Sequence, residues 1–79
     1  MNKLANCFVE AFGVTPEQVT DDLAYQSIPG WDSIGHMVLV AHIEDTFAVT
    51  LDTDDIISME TVARAREILQ KVGVRIDAA

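Results

Sequence analysis

Apolar residues recur three and four positions apart in several stretches of this chain, as they do along one face of a helix. Glycine, proline and aspartate interrupt the pattern between these stretches. The pattern predicts helices over about residues 2–12, 33–47, a short segment within 49–57, and 61–72. A long loop, residues 20–31, separates the first two helices, and residues 74–79 are expected to form a loose tail. We therefore expect an all-α four-helix bundle that forms a single domain over residues 1–79.

Each long helix has an apolar face for a common core. The inward-facing residues are expected to be Leu4, Phe8, Ala11 and Phe12 in the first helix, Leu39, Val40, Ile43 and Phe47 in the second, and Val62, Ala65, Leu69 and Val72 in the last. Thr15 followed by Pro16 predicts a capped short turn after the first helix. We expect the long loop to be held against the core by Val19, Leu23 and Ile28.

The second predicted helix carries apolar residues on two of its sides. At about 100° per residue, its core-facing residues occupy one arc of roughly 100°. Ile34, Met37, Val38 and Ala41 form a second arc, called here the apolar stripe. A small domain has difficulty burying both arcs of one helix, so we predict that the apolar stripe is an exposed docking surface. The alternative is that both arcs are buried.

The acidic composition narrows the possible function classes. Five basic residues stand against thirteen acidic ones, for a net charge of −8 and a pI near 4.3. This charge argues against nucleic-acid binding and favours partners with basic docking patches. The lone Cys7 excludes an internal disulfide or a cysteine-built zinc site, and its helical spacing indicates a buried structural thiol. Without a signal-peptide pattern or a long apolar run, we expect a cytoplasmic protein with no membrane insertion. We also expect it to be a monomer.

The segment from Gly30 to Ile34 brings Ser33 to the start of the second helix. Backbone N–H groups and the helix dipole favour a phosphate at such a position. Serine catalysis needs a histidine base nearby, but helical rotation places His36 about 60° around the helix from Ser33, and His42 lies more than two turns away. We therefore interpret Ser33 as a residue that is modified, and His36 as a packing or loop-contact residue.

An acidic cluster precedes the short third helix. Its aspartates at positions 52, 54 and 55 can cap that helix or form a solvated acidic face. A calcium loop would need alternating ligands, a central glycine and a closing glutamate, whereas Ile56 and Ile57 follow here. We predict no metal site in this segment.

These features together resemble the acyl carrier protein family. The resemblance rests on Phe12-Gly13-Val14, the long loop, Asp32-Ser33-Ile34 and the segment from Ile43 to Phe47, and it covers the chain to about Leu69. It implies a non-catalytic carrier whose Ser33 accepts a 4′-phosphopantetheine arm from coenzyme A through a phosphopantetheinyl transferase. The thiol of the arm would hold an acyl or aminoacyl group as a thioester for partner enzymes.

The resemblance also assigns roles to the neighbours of Ser33. Asp32 matches the aspartate of the attachment motif, which helps to hold the magnesium and coenzyme A phosphates of the transferase. The positions that match docking contacts are Ile34, Met37 and Ala41 of the apolar stripe, joined by Val38 of the same arc, and the acidic residues Glu44, Asp45, Asp52, Asp54 and Asp55. The implied partners are the transferase, an acyl- or aminoacyl-loading ligase, and acyl-transfer or condensation enzymes.

The chain departs from many fatty-acid carriers in four places. Gly35 and Val38 stand where those carriers have acidic residues, Ala41 is smaller than the usual apolar residue at its position, and Trp31 replaces a smaller residue. Trp31 is expected either to cover the base of the arm or to shield the loop. The less acidic docking face predicts a dedicated pathway, such as polyketide, peptide or polysaccharide-linked acyl chemistry, rather than housekeeping fatty-acid synthesis. The main rival is a carrier-like module that is never modified and binds partners through the apolar stripe.

Overall fold

The computed structural model describes residues 3–74 and contains four α-helices in that range. They are α1 (Lys3–Phe12), α2 (Ser33–Phe47), α3 (Thr53–Ser58) and α4 (Val62–Lys71), with a 3₁₀ turn at Pro16–Gln18. The predicted all-α bundle with a long first loop and a short third helix is confirmed. Of the predicted elements, the first residue of the first helix and residues 75–79 of the tail lie outside the described residues.

The helix ends follow local sequence signals. Gly13 ends α1 in the left-handed region, with φ of 69°, and its N–H donates to the carbonyl of Val9 at 2.9 Å. Thr61 caps α4 because its hydroxyl accepts a hydrogen bond from the N–H of Arg64 at 3.1 Å. Ala48 caps α2 in the left-handed conformation. These caps pair backbone groups that a helix end otherwise leaves unpaired.

The core lies where the apolar faces of α1, α2 and α4 meet. Its buried members are Leu4, Cys7, Phe8, Trp31, Leu39, Val40, Ile43, Leu51, Met59, Val62, Ala65, Ile68 and Leu69. Neither expectation for Trp31 is met, because its side chain has no exposed surface and stacks on Phe12 in the core. Val72 was predicted to face inward but is 38% exposed, since α4 ends before it. Val74 packs against the core, so the predicted loose tail does not begin there.

The long loop is tied to the start of α4 by backbone hydrogen bonds. The N–H of Tyr25 donates to the carbonyl of Glu60 at 2.8 Å, and the N–H of Val62 donates to the carbonyl of Leu23 at 3.1 Å. The N–H groups at the beginning of a helix lack partners within the helix, and the loop carbonyls supply them here. As predicted, Val19, Leu23 and Ile28 pack against the core. These bonds fix the part of the loop around Leu23 and Tyr25 against the start of α4.

The acidic cluster at positions 52, 54 and 55 is only partly exposed to solvent. The prediction of a fully solvated acidic face was therefore wrong for one of its residues. Asp52 caps α3 by accepting a hydrogen bond from the N–H of Asp55 at 2.8 Å, and it is exposed, as is Asp54. The side chain of Asp55, by contrast, is buried and accepts a hydrogen bond from Lys71 Nζ at 2.7 Å. This pairing raises the pKa of the Lys71 ammonium above its ordinary value. Asp55 therefore ties α3 to the end of α4.

Candidate functional site

Ser33 is the first residue of α2, and its side chain is exposed. Asp32 caps the helix, because its Oδ1 accepts a hydrogen bond from the N–H of Gly35 at 2.8 Å. The carbonyl of Asp32 accepts from the N–H of His36 at 2.8 Å, which starts the helical ladder. The cap thus holds the hydroxyl of Ser33 at the positive end of the dipole of a fifteen-residue helix.

The hydroxyl of Ser33 contacts a second hydroxyl rather than a catalytic base. Tyr25 Oη and Ser33 Oγ lie 3.0 Å apart, within hydrogen-bond distance. Both ring nitrogens of His36 are used elsewhere, so this histidine does not activate Ser33. Trp31 Nε1 donates to His36 Nδ1 at 2.9 Å, and His36 Nε2 lies 2.8 Å from the carbonyl oxygen of Ile56. The site therefore lacks the serine–histidine geometry of a hydrolase within the described part of the chain.

His36 joins three segments around the site. Because an indole N–H can only donate, Nδ1 of His36 accepts, and the remaining ring proton is on Nε2, from which it is donated to Ile56. Trp31 belongs to the long loop, His36 to α2 and Ile56 to α3. The predicted packing role of His36 is confirmed by these contacts.

A groove opens beside Ser33 between α2, α3 and the long loop. It has a volume of about 370 Å³, and we call it the Ser33 groove. It is lined by Tyr25, Ser33, His36, Met37, Ile56, Ile57, Met59 and Glu60. This lining is mainly apolar, and within the described part of the chain it contains no lysine or arginine. An extended group attached to Ser33 has room to lie along this groove.

Gly35 is packed against the backbone of the loop. A Cβ atom at this position would overlap the carbonyl oxygen of Gly30 and would lie 3.1 Å from the carbonyl carbon. Gly30 itself lies against Phe12, because a Cβ there would be 3.2 Å from the carbonyl oxygen of Phe12. The loop therefore lies directly on α2 at Gly35. This close approach gives a structural reason why no acidic side chain occupies position 35.

The apolar stripe is exposed, as predicted from rotation along the helix. Ile34 is 78% exposed, Met37 56% and Val38 41%, and Ala41 is also exposed. On α3, Ile57 is 68% exposed, an apolar side chain that the sequence pattern did not include in this surface. A surface with this many exposed apolar side chains is typical of a protein that binds partners.

The acidic residues with predicted docking roles fall into two groups. Asp45 is exposed beside Val38 and Ala41, where a shallow depression also contacts His42. Asp52 and Asp54 are exposed at the start of α3. Glu44 instead accepts a hydrogen bond from the N–H of Leu51 at 2.8 Å, and the side chain of Asp55 is buried. The carboxylates of Glu44 and Asp55 are thus held by the chain itself.

Sequence reasoning did not identify several residues of this site. Tyr25 lies in a loop without periodicity, eight positions before Ser33, and no spacing rule connects the two hydroxyls. Met59 and Glu60 follow α3 and reach the groove only because the connection between α3 and α4 packs against the loop. An aromatic hydroxyl in the loop before Ser33 was the one available signal, and it is a weak one.

Two comparisons with known proteins bear on this site. A family model described as a phosphopantetheine attachment site matches residues 2–69. The chain is also similar to an acyl carrier protein of Lactobacillus johnsonii, with 35% identity over 69 residues. That match covers 87% of this chain and 86% of the relative.

Proposed function

Because this chain belongs to the phosphopantetheine-attachment family of acyl carrier proteins, a family of non-catalytic carriers, we propose that Ser33 is the residue that bears its arm. Members of the family carry covalently attached 4′-phosphopantetheine and interact with a phosphopantetheinyl transferase and acyl-handling enzymes. When the arm is bound, its terminal thiol holds the acyl group as a thioester. The observation that supports Ser33 is its exposed hydroxyl at the capped start of α2.

The residues around Ser33 fit a 4′-phosphopantetheine arm. The hydroxyl is open to an approaching transferase, and the N-terminus of α2 favours a phosphate. The Ser33 groove offers a mainly apolar path beside the attachment atom. Asp32, adjacent to Ser33, is exposed although its Oδ1 caps the helix, and a carboxylate has further lone pairs for the magnesium ion of a transferase.

We further propose that partners dock on the apolar stripe and its acidic rim. The exposure of Ile34, Met37 and Val38 supports this role, with Ala41 continuing the same surface. Asp45, Asp52 and Asp54 supply exposed negative charge around it, which favours basic partner surfaces. We omit Glu44 and Asp55 from the docking surface because their carboxylates already pair within the chain.

The proposed partners belong to a specialised pathway in the cytoplasm. They are a loading ligase for an acyl or aminoacyl group and the acyl-transfer or condensation enzymes that use it. The uncharged surface at Gly35 and Val38 supports a specialised pathway. With fewer charge pairs, the protein would bind more slowly to enzymes whose docking surfaces are complementary to acidic carriers. At Gly35 the packing of the loop also prevents any side chain from restoring the charge. Within residues 3–74, no helix is long and apolar enough to span a membrane.

Attachment at Ser33 is tested by intact mass. The unmodified protein is incubated with coenzyme A and a broad-specificity phosphopantetheinyl transferase, and the Ser33→Ala variant is treated in parallel. We expect the wild type to gain one phosphopantetheinyl group and the variant to gain none. No gain by the wild type would favour the rival, an unmodified module that binds partners through the apolar stripe. A gain by Ser33→Ala would refute the choice of residue.

The pathway is tested with the protein that carries the phosphopantetheine arm, called here the loaded protein. We expect a malonyl transferase of fatty-acid synthesis to act on it more slowly than on the Lactobacillus johnsonii carrier. Val38→Glu should raise the rate at low salt, and high salt should remove the gain. Gln70→Glu, on the exposed side of α4, is the matched control for net charge. Equal rates for this protein and the bacterial carrier would instead support a role in fatty-acid synthesis.

A further inference from the structure

We infer that Tyr25 is a positioning residue for the phosphate of the arm, to which its hydroxyl donates a hydrogen bond. This inference rests on the proposed attachment at Ser33. Its basis is the distance of 3.0 Å between Tyr25 Oη and Ser33 Oγ. A group that lies this close to the attachment atom also lies close to the phosphorus that bonds to it. The contact would fix the first bonds of the arm over the Ser33 groove.

The structure holds the hydroxyl of Tyr25 in place from two sides. The backbone N–H of Tyr25 donates to the carbonyl of Glu60 at 2.8 Å, which ties this part of the loop to the chain before α4. The ring of Tyr25 meets the ring of His36 edge-on, with centroids 5.7 Å apart and an angle of 77°. His36 is itself held by Trp31 and Ile56. The hydroxyl is therefore presented to the phosphate without a large loss of side-chain freedom.

The hydrogen-bond donors along the groove also indicate Tyr25 as the partner of the phosphate. A phosphodiester carries a negative charge, and none of the described residues that line the Ser33 groove is a lysine or an arginine. Once Ser33 carries the arm, its Oγ is an ester oxygen and has no proton to donate. The ring N–H of His36 faces the carbonyl of Ile56. Among the side chains of residues 3–74 that line the groove, the hydroxyl of Tyr25 is the donor that remains for the phosphate.

The charge of Glu60 favours one position of the phosphate along the Ser33 groove, at the end near Ser33. Glu60 also lines the groove and is exposed, and its carboxylate repels a phosphate. A hydrogen bond from Tyr25 holds the phosphate at the edge of the groove near Ser33, while the uncharged part of the arm lies against Met37 and Ile57. Before attachment, the two hydroxyls pair with each other, and either one can be the donor. After attachment, Tyr25 must be the donor.

Nuclear magnetic resonance can observe both sides of this contact. The arm brings the single phosphorus atom of the loaded protein, and Tyr25 is its single tyrosine. We expect the ³¹P resonance of loaded Tyr25→Phe to shift and to narrow relative to the wild type, because the phosphate loses its fixed partner. In the wild type, we expect the Cζ resonance of ¹³C-labelled Tyr25 to shift when the arm is attached.

The controls separate this inference from the proposed function. Tyr25→Phe keeps the ring that packs on His36, and unchanged Trp31 fluorescence checks the core. Thr20→Val removes another hydroxyl of the loop, one that donates to Asp22 at 2.6 Å, and should leave the ³¹P resonance unchanged. Identical ³¹P shift and width in loaded Tyr25→Phe and wild type would overturn the role of Tyr25, as would a constant Cζ shift. Failure of the wild type to gain the mass of the arm would overturn the attachment itself, and with it this inference.

Discussion

Replacing Gly35 by alanine tests whether packing against the loop excludes a side chain from the docking face. Helix propensity alone predicts a gain of about 1 kcal/mol for alanine over glycine inside a helix. The added Cβ, however, would overlap the carbonyl oxygen of Gly30 and lie 3.3 Å from Cε1 of Phe12. Such overpacking typically costs about 1–3 kcal/mol, and the cost is at its upper end when the neighbour is backbone. We therefore expect a net destabilisation of about 2 kcal/mol for Gly35→Ala.

Urea unfolding followed by the fluorescence of Trp31, the single tryptophan, measures this change. With a slope of about 1 kcal/mol per molar urea, the midpoint should fall by about 2 M. In a domain of this size, the melting temperature should fall by roughly 8–16 °C. Gly35→Asp should be at least as unstable, since it adds the same Cβ.

Val38→Glu is the matched control on the same helix. Val38 is 41% exposed on the apolar stripe, so a glutamate there should change stability by less than about 0.5 kcal/mol. We expect that only one of the two missing acidic residues, the one at position 38, can be restored without damage to the fold. Wild-type stability or better for Gly35→Ala would refute it, since propensity would then outweigh packing.

Three further outcomes follow from the contacts around the site. His36→Ala should cost about 2–3 kcal/mol in urea unfolding, because the buried indole N–H of Trp31 loses its acceptor; a loss below about 0.5 kcal/mol would contradict this pairing. Arg66 lowers the pKa of Asp21 below its ordinary value of 3.8. The stabilisation from this pair is therefore present above that pH and is lost as the pH falls through the lower folded-state pKa. Asp21→Asn should be slightly less stable than the wild type at neutral pH, and the difference should vanish in strong acid; a difference independent of pH would argue against the ion pair. Burial raises the pKa of the Cys7 thiol, so Cys7 should react slowly with a thiol reagent. A fast-reacting thiol should therefore be detected only after the arm, which ends in a thiol, is attached. A fast thiol in the unmodified protein would show that Cys7 is accessible.

The helices and their faces were predictable because they depend on local rules. The segment from Gly30 to Ile34 and the uninterrupted apolar spacing after it marked the bounds of α2, and rotation along that helix separated the apolar stripe from the core face. Gly13 marked the end of α1 in the same way. A helix turns by a constant angle per residue, so the face of each side chain can be read from its position in the sequence.

The contacts that residues of the long loop and of the short third helix make with other segments could not be predicted by such rules. Trp31 belongs in the core, and the side chain of Asp55 is buried against Lys71, but neither position has a periodic pattern that reveals it. Their burial depends on which segment lies opposite, since a buried carboxylate requires a cation and a buried indole N–H requires an acceptor.

The site at Ser33 combines both kinds of information. Its serine and the exposed stripe beside it follow from the order of residues in one helix. The hydroxyl of Tyr25, the bond between His36 and Ile56, and the contact of Gly30 with Gly35 join segments that meet only after the chain has folded. Helical spacing determines which side of a helix a residue occupies, whereas the partner it meets there depends on how the loop packs against α2 and α4.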